Sequence, residues 1–274
     1  MAKAITKALL SGILLAGATL AGTAGVANAA GGSDYKMEHV HWHFNGPFGT
    51  YDRAAMQRGY QVYREVCASC HQLKHLSFRH LGDKGGPFYE EDYKNPNDNP
   101  YVKAFAADWQ ISDIDTDTGD VIERPGTPAD KFPAIFPNAA AAQASNGGAL
   151  PPDLSVMVKA RNNGADYVYN LLTAYGQEMP HGMSLSAGTH YNPVMDGGKI
   201  AMAAPLSEDL VEYADGTPAT VEQMAKDVTE FLAWSADPKM ENRKSAGLAT
   251  MLYLLVFTIL MWLSYKRVWR NVEH

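Results

Sequence analysis

The feature that most narrows what this chain can become is a five-residue stretch, Cys67-Ala68-Ser69-Cys70-His71, which holds its only two cysteines. Two thiols three positions apart can each add to one vinyl group of a haem while the adjacent imidazole reaches the iron. A bare CxxC also serves as a redox dithiol or as half of a zinc site. No second cysteine pair is present to complete a zinc site, and no thioredoxin-like βαβ pattern surrounds the motif. The spacing and the following histidine therefore predict one covalently bound haem c, held by Cys67 and Cys70, with His71 as a metal ligand.

The flanking sequence supplies helices to carry it. Asp52 can cap a helix in which Met56, Gly59, Tyr60, Tyr63, Val66 and Cys67 recur at intervals of three and four, so the helix ends at the haem motif. A second stripe, Val221, Met224, Ala225, Val228, Phe231, Leu232 and Ser235, is expected to start after Thr217-Pro218 as cap and first helical residue. Gly59 would let Phe231 or Trp234 approach closely. Two crossing helices of this kind suit a mainly α, class I cytochrome c-like monohaem domain, and the Gly- and Pro-rich stretches between them suit long irregular loops.

Both ends of the chain are apolar. Lys3 and Lys7 precede an uncharged run that closes on Ala27-Asn28-Ala29, the pattern of a secretory signal peptide, so residues 1–29 are expected to be removed. Residues 30–240 would form the exported haem domain. Residues 245–265 contain no charge over roughly the 20 residues that a transmembrane helix needs, and Lys266, Arg267 and Arg270 follow. That asymmetry predicts a single pass with residues 266–274 in the cytoplasm. The formal net charge is −7, while residues from Asp237 onward carry six basic against three acidic groups, so the exported part is more acidic than the whole. Such a domain disfavours nucleic acid and favours a basic protein partner, unless the charge serves solubility alone.

The position opposite His71 decides whether the iron is closed or open. A thioether there favours electron transfer over catalysis. Met157 falls in a helix-like stretch, Leu154 to Arg161, that reads as core, whereas Met179, Met183, Met195 and Met202 remain available by spacing. Met202 is preferred, because Gly197-Gly198-Lys199-Ile200-Ala201-Met202-Ala203-Ala204-Pro205 can bend around a haem edge. His39, His41 and His43 alternate as metal ligands on one strand face would, but no partner ligand group accompanies them, and a hydrogen-bonded exposed segment is the simpler reading.

Several ordered segments resemble the cytochrome c1 subunit family of quinol:cytochrome c oxidoreductase (cytochrome bc1) complexes. They are Gly46-Pro47-Phe48-Gly49-Thr50-Tyr51-Asp52, Arg58-Gly59-Tyr60-Gln61-Val62-Tyr63, Gly148-Ala149-Leu150-Pro151-Pro152-Asp153-Leu154-Ser155, Gly197 to Leu206, and Glu212-Tyr213-Ala214-Asp215-Gly216-Thr217-Pro218-Ala219. The resemblance implies Met202 as the second metal ligand, Pro152 in the haem pocket, Arg161 paired with a haem propionate, and Tyr167 and Asn146 as neighbouring contacts. A guanidinium suits that role because its fork matches a carboxylate. It further implies an electron-transfer subunit, not an enzyme by itself and without catalytic residues, in a respiratory or photosynthetic complex. Cytochrome b, a Rieske iron-sulfur protein as donor, soluble cytochrome c as acceptor and membrane lipid would be its partners. The haem domain would lie on the periplasmic side of a bacterial inner membrane.

Two departures stand out. Some relatives have a further cysteine pair that this chain lacks, and the stretch from Lys84 to Phe136, with Asp113, Asp115, Asp117, Asp120 and Glu123, does not align residue by residue. It reads equally as an acidic docking surface or a solvated loop. A haem subunit feeding a terminal oxidase, a peroxidase-like enzyme with an open iron position and a haem sensor are the competing readings. The ordered segments disfavour the first, a closed iron position would exclude the second, and no output domain supports the third.

Overall fold

The haem motif sits at the end of a helix because that helix has a strong start and one buried face. The computed structural model describes residues 35–272, so the expected signal peptide lies outside the described residues. Helix α1, Arg53–Glu65, begins where Asp52 accepts the Ala55 N–H at 3.1 Å. It buries Met56, Gly59, Tyr60, Val62 and Tyr63 and runs directly into a 3₁₀ turn over Cys67–Ser69. Helices α2 (Pro100–Ala107), α3 (Ala139–Ser145), α4 (Ala165–Thr173), α5 (Val221–Ala236) and α6 (Met240–Val268) complete the described helices. The little sheet present is two antiparallel pairs: β1 (Gln110–Ile114) with β2 (Val121–Pro125), and β3 (His190–Tyr191) with β4 (Lys199–Ile200). Mainly α architecture with long irregular loops is therefore what the chain adopts.

The core is built on the crossing of α1 and α5. At Gly59 a Cβ would collide with the Asp227 carbonyl and stand 2.8 Å from the Phe231 Cβ, so only glycine allows this backbone approach. The expected contact with Phe231 is present. Around it the Phe231 ring lies 5.6 Å from Tyr60, 5.8 Å from Tyr63 and 5.7 Å from Trp234, an aromatic cluster that interlocks the two helices. Beside the crossing, Arg58 forks onto the fully buried Asp227, with Nε to Oδ2 at 2.9 Å and Nη2 to Oδ1 at 3.0 Å. Gln223 and Asp215 complete the network at 3.0 and 2.8 Å.

One buried carboxyl of α5 makes stability depend on pH. Glu230 accepts the Asp52 N–H at 2.9 Å, and burial pushes its carboxyl from 4.5 up to about 7. With the folded value raised, its stabilising contribution is fully present below 4.5, decays between 4.5 and 7, and is gone above 7. The difference is on the order of 3 kcal/mol. Glu230→Gln keeps an oxygen acceptor without the ionisation, so the variant should match the parent in denaturant unfolding at pH 4.5 and exceed it at pH 8. Equal stability at pH 8 would refute this account.

Several boundaries differ from the sequence expectation. Helix α5 starts three residues beyond Thr217-Pro218, because Thr220 caps it by accepting the Gln223 N–H at 3.1 Å, while the Thr217 N–H is taken by Asp215. The stretch Leu154 to Arg161 contains only a 3₁₀ turn over Met157–Lys159, and Met157 is partly buried against the core. His39, His41 and His43 lie on irregular chain, not on a strand. His39 Nδ1 is 3.0 Å from Asp166 Oδ2, and His41 and His43 stack edge to face at 5.6 Å. Asp166 of α4 also accepts from Trp42 Nε1 at 2.7 Å and from the Val40 N–H at 3.2 Å, so the segment is a strap tied to α4.

The acidic 84–136 stretch is partly neutralised from within. Arg124 bridges Asp113 at 2.6 Å and Asp130 at 2.7 Å, holding the β1–β2 hairpin against the chain that follows it. Asp115 spends its carboxylate on the Asp117 and Thr118 N–H groups at the hairpin tip. The chain forms two compact units, one over residues 32–245 and another that includes the C-terminal helix from Ala246. Helix α6 is the one described helix long and apolar enough to cross a membrane, and it is longer than the 245–265 expected from charge alone. Its extra first turn begins at Met240, which is buried.

Candidate functional site

His71 is held from both ends. The Tyr63 hydroxyl donates to its backbone carbonyl at 3.1 Å, and its Nδ1 lies 2.8 Å from the Pro152 carbonyl oxygen. That contact requires the proton on Nδ1, which leaves Nε2 as a bare lone pair. Burial also lowers the imidazole's affinity for a proton, and neutral imidazole is the form that ligates iron. Two independent features thus prepare one nitrogen for a metal.

Pro152 reaches His71 because a whole strip of chain lies alongside the motif. The Leu154 N–H donates to Gln72 O at 3.0 Å, the Lys74 N–H to Asp153 Oδ2 at 3.0 Å, and the His75 N–H to Ser155 Oγ at 3.1 Å. Ser235 of α5 secures the far end of the strip by donating from its hydroxyl to the buried Ser155 carbonyl at 3.1 Å. The resemblance implies Pro152 and its neighbours in the pocket but gives no role to the Asp153 and Ser155 side chains, which accept the Lys74 and His75 N–H groups. The signal was there: short polar side chains directly after a Pro-Pro pair are turn formers that bind neighbouring backbone.

The thiols suit covalent attachment. Cys67 and Cys70 are both free and partly accessible, not joined as a disulfide. Desolvation, reinforced by the neighbouring Cys70, pushes the Cys67 thiol up to about 12, so it is a poor metal-binding thiolate. Leu150 and Val156, which bracket the Pro152 strip, are large apolar side chains exposed to solvent. Two free thiols, a histidine with Nε2 left free and exposed apolar side chains on the strip that holds that histidine match what a covalently bound porphyrin needs, and the residues fit haem c.

The remaining predicted residues lie in three places. Met202 lies on the loop after β4, half-buried, with its carbonyl accepting from the Tyr175 hydroxyl at 2.9 Å. Tyr175 is a positioning contact that sequence reasoning did not identify. Arg161 and Tyr167 are brought together, the guanidinium 5.9 Å from the ring centroid, and the Tyr167 hydroxyl sits 3.4 Å from Met195 Sδ. Arg161 forms no carboxylate pair among the described residues, which leaves its fork open to an external anion. Asn146 ends α3 and its amide donates to the Ala142 carbonyl at 2.7 Å, so it shapes a turn there. Among the described residues no cluster of three or more His, Cys, Asp or Glu side chains could hold a metal ion.

Comparison with known proteins extends over nearly all of this architecture. Residues 42–272 match the family model described as the Cytochrome C1 family. The chain is 38% identical to cytochrome c1 of Rhodospirillum rubrum over 96% of its own length and 97% of that protein. It is 45% identical to the mitochondrial cytochrome c1 heme protein of Saccharomyces cerevisiae, covering 85% of this chain and 72% of the relative. Against cytochrome b/c1 of Bradyrhizobium diazoefficiens the identity is 44% over 94% of this chain, which spans only 39% of that longer protein. A match running from the Trp42 strap through the membrane-length helix takes in both the haem motif and the anchor, and the chain belongs to the cytochrome c1 family, a family of haem c proteins that serve as electron-transfer subunits of the bc1 complex.

Proposed function

We propose that this chain receives single electrons from a Rieske iron-sulfur protein and passes them to a soluble cytochrome c, within a complex that also contains cytochrome b. The observation that carries the reading is the 2.8 Å contact between His71 Nδ1 and the Pro152 carbonyl, which leaves Nε2 as the free nitrogen of a histidine that directly follows the free Cys70. Bound haem supplies the one-electron couple. His71 Nε2 and Met202 Sδ would hold the iron, and Cys67 and Cys70 would hold the ring through thioether bonds.

The chain's own residues do the rest. The Pro152 strip fixes the imidazole plane and tautomer, which keeps reorganisation small when charge changes. Arg161 offers its guanidinium to a propionate with Tyr167 beside it, and Asn146 bounds the pocket from the end of α3. With both a thioether and an imidazole holding the iron, no position would be left for substrate, which would favour electron transfer. The acidic exported domain would attract a basic acceptor over long range.

The topology belongs to the same proposal. Residues 1–29 would direct export, 30–240 would form the periplasmic haem domain, 245–265 would cross the bacterial inner membrane once, and 266–274 would stay in the cytoplasm. Lys266, Arg267 and Arg270 at the far end of the apolar run support that orientation. The test is Cys67→Ser with Cys70→Ser in membranes: quinol-driven reduction of cytochrome c should fall to background while the other subunits remain assembled. Persistent reduction by membranes whose cytochrome c1 chain carries no haem would overturn the route.

A further inference from the structure

Just before the apolar run of α6, the haem domain carries a cavity of about 240 Å³ whose polar lining is dominated by cations. Lys159, Arg243 and Lys244 face Asp237 across it, with Phe44 and Tyr51 as aromatic walls. Asp237 is shared between Lys159 at 3.0 Å and Arg243 at 2.7 Å, so one carboxylate answers two cations. Lys244 meets no carboxylate among the described residues; its ammonium holds the Phe44 and Gly49 carbonyls at 2.6 and 2.9 Å. The next acid, Glu241, is engaged by the Tyr51 N–H at 2.9 Å. The three cations therefore outnumber Asp237 and Glu241 by one, with the buried Glu230 carboxyl also acting on Tyr51.

Its position in the chain narrows the ligand. Lys244 immediately precedes Ser245, the first residue of the charge-free run, and a helix rises only about 1.5 Å per residue. The cations thus lie at the level where a membrane span meets headgroups. The loop that Lys244 clamps carries Phe48 near its tip, and Phe48 is 77% exposed, an aromatic side chain offered to solvent. Basic groups with an exposed aromatic at the end of an apolar helix are what an anionic interface recognises.

We propose that this cavity binds a phosphate-bearing anion, supplied by an anionic phospholipid of the leaflet that meets the N-terminal end of the span. Arg243 and Lys159 would hold the phosphate oxygens, Lys244 would contribute charge while clamping the loop, and Phe48 would rest among the acyl-chain ends nearest the headgroups. Binding would fasten the Phe44–Thr50 loop and the first turn of α6 to the membrane surface. The proposal rests on the membrane anchor and not on the electron-transfer route, so either can fail alone.

The test uses the full-length haem-loaded chain in nanodiscs containing equal phosphatidylglycerol and phosphatidylcholine, with retained lipid counted by native mass spectrometry. One phosphatidylglycerol should be retained in preference to phosphatidylcholine. Arg243→Gln, which leaves the Lys244 clamp intact, and Lys244→Gln should each lower that retention roughly tenfold, the value of one charge-assisted hydrogen bond. Neutralising Lys266, Arg267 and Arg270 at the opposite end should leave it unchanged. Equal retention of the two lipids, or retention insensitive to both Arg243→Gln and Lys244→Gln, would overturn the proposal. So would Arg243-dependent binding of glycerol phosphate without retention of phosphatidylglycerol, since the ligand would then be a free phosphoester.

Discussion

Met202→Leu should remove the weak far-red methionine-to-iron absorption band of the oxidised protein and make the ferrous haem bind carbon monoxide readily. Leucine matches methionine in size but has no sulfur lone pair, so one axial position opens while packing of the loop is kept. The reduction potential should drop by a sizeable part of the roughly 0.8 V over which axial ligands tune haem. Quinol-driven cytochrome c reduction should fall by at least about tenfold. The Tyr175 hydroxyl bonds the Met202 backbone, not its side chain, so the loop has an anchor that the substitution leaves alone. An unchanged spectrum with no carbon monoxide binding would move the ligand to another methionine, and Met195, 3.4 Å from the Tyr167 hydroxyl, would be the next to replace.

Arg58→Met should strongly destabilise the haem domain. It leaves Asp227, fully buried on α5, with only uncharged side-chain partners, the Gln223 amide and the nearby Tyr213 hydroxyl. Removing one partner of a buried pair costs about 3–5 kcal/mol, because the surviving charge stays desolvated. Against a typical domain stability of roughly 5–15 kcal/mol, that loss lowers the denaturant midpoint steeply. Arg58→Met with Asp227→Leu should recover most of it, since replacing both charges removes the desolvation penalty. A double variant as unstable as the single one would show that the pair does more than satisfy itself. The spectrum of folded Arg58→Met should be unchanged, because its contacts lie at the helix crossing and not at His71.

Much of the candidate site was legible in the chain because its chemistry is local. CxxCH carries two thiols and an imidazole within five residues, and no packing is needed to see that they face one ring. The apolar run before Lys266 is legible for the same reason, since length and absence of charge are properties of the run alone. Helix periodicity likewise marked the buried faces of α1 and α5, and Gly59 marked their closest approach. The start of α5 was misplaced because Thr217-Pro218 and Thr220 both carry cap chemistry, and the competition was decided by Asp215, which takes the Thr217 N–H and leaves Thr220 to cap.

The sequence by itself determined that this is a monohaem c domain with a membrane-length helix behind it. Only the tertiary structure decided which groups hold that haem motif in a usable state. Pro152 lies 81 positions from His71, Asp227 lies 169 from Arg58, and Phe44 lies 200 from Lys244. No spacing rule links such residues, because each pairing exists only after the tertiary fold has closed and brought distant segments beside one another. The physical reason is range: covalent attachment and membrane insertion depend on groups adjacent in the chain, whereas orienting a histidine, neutralising a buried aspartate and collecting cations into one cavity depend on which surfaces packing brings together.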